Sequence, residues 1–403
     1  MTKYILIISL FIIILLFTRI EKSHEPTYFD FIKNKKNIPL IKVLIKEKVN
    51  ELKVTIDQKF RILNKELIAI RDVKTGISNG IIGFDKDSRK LYIKVNNQKD
   101  SLKVSYCKMV IPERTILQIG KEKYLGSVII YVNEKNKLNV VNELDLETYL
   151  LGVLPGETFS TFGIEAIKSQ VVASRTYALS ESLKRQNKLW HLRNTTRSQV
   201  YKGMVKVHPK FKKAIEETRG LVLQGDEGVL KAYFSSHCGG ATASLDSLPW
   251  EKNAGTVMLS RKCPWCRKMK PKSFYWETRF SIKKIESALK RQGYAFKTLK
   301  FLAINKKDEF SRVLKLEVFC SDKKFIVDAT HFRTTIMQAT EKLRSRMFVM
   351  KKEGAYYSFK GRGWGHGVGM CQYGSQGLSK ENWGFRQILG YYYLGAKISK
   401  LYE

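Results

Sequence analysis

A chain of 403 residues, 43% hydrophobic and 11% aromatic, is long enough for one large or two ordinary domains with real cores, which excludes a disordered polymer. Lysine and arginine number 73 against 37 acidic residues, and the net charge of +36 attracts polyanions. The basic residues are spread along the whole chain, with no helix-turn-helix, RNP or zinc-finger pattern, which argues against nucleic acid.

The first element is an apolar run, Tyr4–Phe17, preceded by Lys3 and ended by Arg19, Glu21 and Lys22. Its length suits a signal-peptide core better than a full span of roughly 20 residues. No A-x-A-like cleavage site follows, so residues 1–20 read as an uncleaved signal anchor, with a cleaved signal peptide as the alternative. Either reading puts the body outside the cytoplasmic membrane, where an anionic wall polymer or membrane surface fits the charge. Residues 21–37 are polar and read as a tether.

From Ile38 to Leu151 the pattern is that of strands: IPLIKVLIKEKV, LKVTID, KLYIKV, LKVSYCKMVI, SVIIYV and LNVVN alternate or are β-branched, with SNG and NNQKD as turns. Leu144–Leu151 reads as a short helix on which Glu147 is a solvated or capping carboxylate. Pro155 and Gly156 then predict a loop carrying Glu157 among Phe159 and Phe162. A carboxylate in apolar company has a raised pKa and donates a proton near neutral pH, whereas a solvated loop carboxylate does not. A helix follows, capped by Ser160 or Thr161, with Ile164, Ile167, Val171, Val172 and Ala178 on its apolar face. Trp190–Gly203 is a loop whose Thr195, Thr196, Gln199 and Tyr201 suit either a hydroxyl-rich ligand or ordinary turn chemistry. His208–Arg219 reads as a short amphipathic helix and Leu221–Phe234 as a hairpin around GDEG. Residues 280–340 read as a second lobe, with helices at Ile282–Gln292 and Thr330–Thr340 around strands Leu299–Asn305, Val313–Cys320 and Lys324–Asp328. The fold class is therefore α+β: a strand-rich N-terminal half, a central helix and loop, and a smaller α/β lobe. Residues 38–279 and 341–403 form the main body.

Near the C-terminus, glycines alternate with Arg362, Trp364, His366 and Val368. Alternating glycine in a strand clears one face for close approach of a backbone or ligand. The other face offers a ring platform and hydrogen-bond donors, with a tightly packed internal strand as the bland alternative. Of six cysteines, Cys107 and Cys320 sit in apolar strands as buried thiols. Cys263-Pro-Trp-Cys266 has C-x2-C spacing, and His237-Cys238 precede it. His237, Cys238, Cys263 and Cys266 together make a structural zinc set. A disulfide from Cys238 to Cys263 or Cys266 is the alternative that an oxidising compartment permits.

Four stretches, taken in order, resemble the SpoIID/LytB domain: GVLPGETFSTFGIEAIKSQVVASRTYAL at Gly152–Leu179, SQVYKG at Ser198–Gly203, AYFSSHCGGATAS at Ala232–Ser244 and GRGWGHGVGMCQYGSQGL at Gly361–Leu378. The resemblance covers roughly Ile38 to the C-terminus. It implies a lytic transglycosylase of peptidoglycan whose catalytic glutamate falls on Glu157. Thr158-Phe159 follow where the family usually has Met-Pro, and Cys371 stands where a small residue such as Ser is usual. Hydrolysis needs two carboxylates, and no second candidate lies near Glu157 in sequence; a transglycosylase needs one. Tyr177, Gln199, Tyr201, Arg362, Trp364, His366 and Gln372 are the candidates for holding the sugar. The chemistry needs no cofactor. The family's preference for peptide-stripped glycan strands implies a cell-wall amidase partner. The alternative is a non-catalytic, glycan-binding enhancer of such an amidase.

Overall fold

A computed structural model describes residues 38–96, 98–113, 115–251, 257–339 and 342–402, so the expected anchor and tether lie outside them. Among the described residues no helix is long and apolar enough to cross a membrane. The strand-rich half forms two antiparallel sheets because its alternation buries one face of each strand. In Glu51–Ile56, for example, Leu52, Val54 and Ile56 are buried while Glu51 and Lys53 are exposed. The larger sheet has the order Leu192–Arg193, Leu40–Val49, Leu138–Asp145, Ser127–Val132, Tyr106–Val110, Phe60–Leu63, Ala69–Val73, and its first pair is parallel. The second sheet has the order Glu122–Tyr124, Leu117–Ile119, Glu51–Ile56, Ile77–Asp85, Lys90–Val95, Gln98–Ser101. The expected SNG turn instead lies inside strand Ile77–Asp85. Asn79 takes a φ of 52° there, and the register against Glu51–Ile56 slips, as at a β-bulge.

Leu138–Asp145 runs between two partners and is buried along nearly its whole length. It leads directly into helix α1 (Leu146–Glu157), because Asp145 Oδ1 accepts the Thr148 N–H at 2.9 Å and caps the helix. Helix α1 is longer than the expected Leu144–Leu151. It carries Pro155 inside its last turn and ends on Glu157, where a loop was expected. Helix α2 (Ile164–Lys184) starts at Gly163 with no side-chain cap, so Ser160 and Thr161 do not serve. The Gly163 N–H is taken instead by Gln376 Oε1 at 2.6 Å. Helix α2 is buried on nearly all sides, not one, since α1 and α3 (Pro209–Glu217) pack on it around Leu154, Phe162, Ile167, Val171 and Phe211 while the sheets cover its other flank.

A separate core draws on Trp276, Phe280, Ile285, Leu302, Leu316, Phe348 and Phe359. Helix α4 (Trp265–Lys268) comes before it in the chain and packs into the main core, whereas the second core takes α5 (Ile282–Arg291) and the strands Leu299–Lys307, Val313–Cys320 and Lys324–Asp328. The expected helix Thr330–Thr340 is cut to α6 (Ala329–His331) and a π-turn at Phe332–Ile336, where Thr334 bonds back to the Thr330 carbonyl at 2.8 Å. Helices α7 (Gln372–Lys380) and α8 (Phe385–Tyr392) then pack against α2. The strand Lys397–Lys400 closes on Leu221–Gly225, which extends the expected GDEG hairpin to three strands.

The glycine-rich stretch is not a regular strand. Gly363, Gly365, Gly367 and Gly369 all have φ between 69° and 116°, so the chain turns at every second residue, and only isolated bridges form at Trp364 and Val368. The glycines are required twice over: a side chain at 369 would sit 2.0 Å from the Tyr233 carbonyl, and one at 367 would sit 2.6 Å from the Arg312 guanidinium.

Candidate active site

The site begins with a flat face on α1. Gly152 and Gly156 lie one turn apart, and a Cβ on either would collide at 2.5 Å, with the Tyr201 ring or the Val200 carbonyl. Their lack of side chains lets Gln199–Gly203 lie directly on the helix. The Lys202 N–H donates to the Gly152 carbonyl at 3.0 Å, and Lys202 Nζ donates to the Pro155 carbonyl at 3.1 Å. The Val200 N–H reaches Glu157 Oε1 at 2.5 Å. Glu157 therefore has a fixed rotamer and one donor while still facing solvent on one side.

Burial raises the Glu157 pKa, and the Val200 hydrogen bond draws it back only in part. No salt bridge reaches its carboxylate among the described residues. The half-buried carboxyl is thus held toward its neutral, proton-donating form. Phe159 lies two residues on and is 54% exposed. Its ring meets Phe162 at 5.4 Å and Tyr373 at 6.1 Å. The rings continue through His237 (5.6 Å from Tyr373) to Phe274 and Tyr275, which is 62% exposed. Tyr275, Thr278, Lys342 and Arg344 line a depression of about 400 Å³, and Arg344 stacks on Trp364 at 4.8 Å.

The other expected sugar-binding residues separate into two groups. Gln199, Tyr201 and Tyr177 are buried, and the first two spend their polar groups within the protein. Gln199 accepts from the Tyr149 hydroxyl at 2.9 Å and donates to the Ser174 carbonyl, and Tyr201 donates to Asn142 Oδ1 at 2.7 Å. Gln199 and Tyr201 hold the Val200 segment in place rather than present hydroxyl-binding groups. Gln372 is also buried, yet it touches the acid's own residue: its Nε2 donates to the Glu157 carbonyl at 2.7 Å and to Gln170 Oε1 at 3.2 Å. His366 accepts the Val368 N–H on Nδ1 at 3.0 Å. Burial and the charges of Arg333, Arg346 and Arg312 draw its pKa down to about 3, so it is neutral. Arg362 is exposed, with Nε on Met347 Sδ at 2.9 Å. Trp364 is half-buried and bridges to the His237 backbone.

The expected metal set changes by one member. Cys238, Cys263, Cys266 and Cys371 converge, their sulfurs all within 4.8 Å of one another. His237 stands outside, with Nδ1 against Ser236 Oγ at 3.0 Å and Nε2 against the Ser273 carbonyl at 3.1 Å. The spacing of Cys263 and Cys266 was readable, but Cys371 is 133 residues from Cys238 and only the fold brings them together. Tyr149, Gln170 and the Val200 N–H also went unseen; a backbone donor leaves no trace in side-chain pattern. Tyr373 was visible only as the continuation of a motif.

A family model described as Stage II sporulation protein matches residues 134–224, which hold Glu157, its helix and the Val200 segment. A second model, described as a domain of unknown function, matches 246–369. The chain is 31% identical over 282 residues to an uncharacterized protein of Brachyspira hyodysenteriae, covering 68% of this chain and 72% of that one. It is 28% identical over 278 residues to Stage II sporulation protein D of Bacillus subtilis, covering 64% and 76%. The chain belongs to the SpoIID family. A further relative, the amidase enhancer of Bacillus subtilis, is 25% identical over 347 residues, and this chain spans about half of its length (47%). SpoIID membership supports a cell-wall-related function.

Proposed function

We propose that the protein is a lytic transglycosylase that cleaves the MurNAc–GlcNAc bond of peptidoglycan glycan strands outside the cytoplasmic membrane, with Glu157 as acid and then base. The observation that carries this reading is the Glu157 carboxyl, its pKa raised by burial and, among the described residues, with no salt-bridge partner, two residues from the exposed Phe159 ring. Protonated Glu157 gives its proton to the glycosidic oxygen as the C1–O bond breaks. The resulting carboxylate takes the proton of the muramic C6 hydroxyl, whose oxygen closes on C1 to give a 1,6-anhydro end. No water is consumed, so no second carboxylate is needed. General acid–base help of this kind supplies about 10²–10⁴ in rate. Phe159 and Tyr373 beside the acid, and Tyr275 with Trp364 further along, offer ring faces for successive sugars.

The test is mass spectrometry of peptide-free glycan strands after incubation with the wild type and with Glu157→Gln. Gln can still accept the Val200 N–H, so the local fold is kept. Anhydro-muramic ends made by the wild type and lost in the variant support the proposal; reducing ends, or equal products from both proteins, overturn it. The relative named an amidase enhancer favours a second reading, in which the same surface binds glycan and stimulates a wall amidase. In that case Glu157→Gln retains full amidase stimulation with no glycan cleavage by either protein.

A further inference from the structure

We propose that Cys238, Cys263, Cys266 and Cys371 bind one Zn²⁺ as a four-thiolate structural site that ties together three segments of the candidate site. All four are buried, and their sulfurs lie within 4.8 Å of one another. A tetrahedral zinc with Zn–S near 2.3 Å places its sulfurs roughly 3.8 Å apart, and Cys238 Sγ lies 3.6 Å from Cys266 Sγ. A disulfide engages two sulfurs and would leave two further thiols crowded against it, whereas four convergent sulfurs match one ion.

The surroundings suit bound thiolates. The backbone N–H groups of Cys238 and Gly374 both donate to Cys371 Sγ at 3.3 Å, and the Tyr392 hydroxyl stands 3.2 Å from Cys263 Sγ. Such outer contacts orient and stabilise a metal's ligands. Zinc with four thiolates carries two net negative charges, which a buried site must offset. Arg312 is fully buried and hydrogen-bonds the carbonyl of Cys238 at 2.8 Å and that of Ala241 at 3.0 Å. Its Nε and Nη1 make no hydrogen bond, and Asp308 approaches Nε only to 3.9 Å. A buried guanidinium so loosely paired is the compensating charge such a centre requires.

The ligands come from three separate stretches of chain. Cys238 follows the strand Phe234–Ser235, Cys263 and Cys266 frame the start of α4, and Cys371 caps α7. An ion there ties together the segments that carry the aromatic track and Gln372, whose side chain holds the Glu157 carbonyl.

Elemental analysis of the full chain, purified without chelator, tests this directly. About one zinc per chain is expected, lost at least tenfold in Cys371→Ser and retained in His237→Ala and Cys320→Ser. Cobalt added to the metal-stripped wild type should give intense thiolate charge-transfer bands and the visible bands of a tetrahedral four-sulfur site, a readout that does not depend on any variant folding. A wild-type chain with no zinc and no such cobalt spectrum overturns the site, as does a Cys238 disulfide found by mass. Iron in place of zinc, or metal lost in His237→Ala and kept in Cys371→Ser, equally overturns it.

Discussion

Glu157 and His366 are two titratable residues expected at the site, and burial pushes them in opposite senses that both favour the neutral form. For Glu157 the folded pKa is raised, so activity that depends on its proton falls as pH rises through that value. The kcat/KM profile on glycan strands should show a basic limb above the ordinary glutamate value, absent from Glu157→Gln, whose rate is lower by about 10²–10⁴. The stability linkage runs the same way. A raised carboxyl pKa stabilises the fold below the unfolded value, and that contribution is lost as pH rises through the folded one. Glu157→Gln should therefore melt higher than the wild type at about pH 8 and lose that advantage on acidification, which calorimetry at several pH values checks. His366, with its pKa drawn down to about 3, should show no imidazole titration by NMR between about pH 5 and 8. The acid's apolar neighbours, Phe159 and Phe162, were legible because they adjoin it in sequence. Its hydrogen-bond donor was not, because Val200 lies 43 residues away and acts through its backbone.

Helix α1 shows where local signals lose to packing. Pro155 and Gly156 read as breakers, yet the helix continues through both because its glycine face fits Val200 and Tyr201. Gly156→Ala improves helix propensity by about 1 kcal/mol, but its Cβ meets the Val200 carbonyl at 2.5 Å and pushes the donor segment off the acid. The expected outcome is a folded protein with kcat reduced about 10²-fold, since displacement of about 1 Å has that effect; circular dichroism beside glycan turnover checks it. Glu147 reads in the sequence as a solvated or capping carboxylate, and the structure overturns both, since Asp145 is the cap. Glu147 is buried in a two-fold hydrogen-bonded pair with Arg175 at 2.8 Å and also accepts from the Tyr402 hydroxyl at 2.6 Å. Neither partner is near in sequence, so no local pattern could reveal the pair. Burial alone would raise the Glu147 pKa, but the Arg175 charge and hydrogen bonds leave it lowered. Its stabilisation is thus present above the ordinary glutamate pKa and lost as pH falls through the folded value. Glu147→Gln strands a buried guanidinium and should cost about 3–5 kcal/mol in denaturant unfolding.

Over the whole molecule, the α+β class and the strand-rich first half followed from period-two alternation. The strands Phe60–Leu63 and Ala69–Val73 and the helix Phe385–Tyr392 were missed, the first two because Arg61, Arg71 and Asp72 mask any apolar run. The charge of +36 acts at this scale too. Exposed charges are screened beyond about 10 Å at 0.1 M salt, so retention on isolated cell-wall sacculi should fall at least tenfold between about 0.05 and 0.5 M NaCl. A cosedimentation series measures it, and retention unchanged by salt would assign the binding to the aromatic surface alone.

The contact between Gln372 and the Glu157 carbonyl spans 215 residues, and that between Tyr402 and Glu147 spans 255. A chain made from its N-terminus presents Glu157 well before either of these partners has been synthesised. Until they arrive, α1 lacks the anchor at its base and the acid lacks the amide that holds its backbone. The surroundings of Glu157 and Glu147 are thus completed only when the chain through Tyr402 has been made.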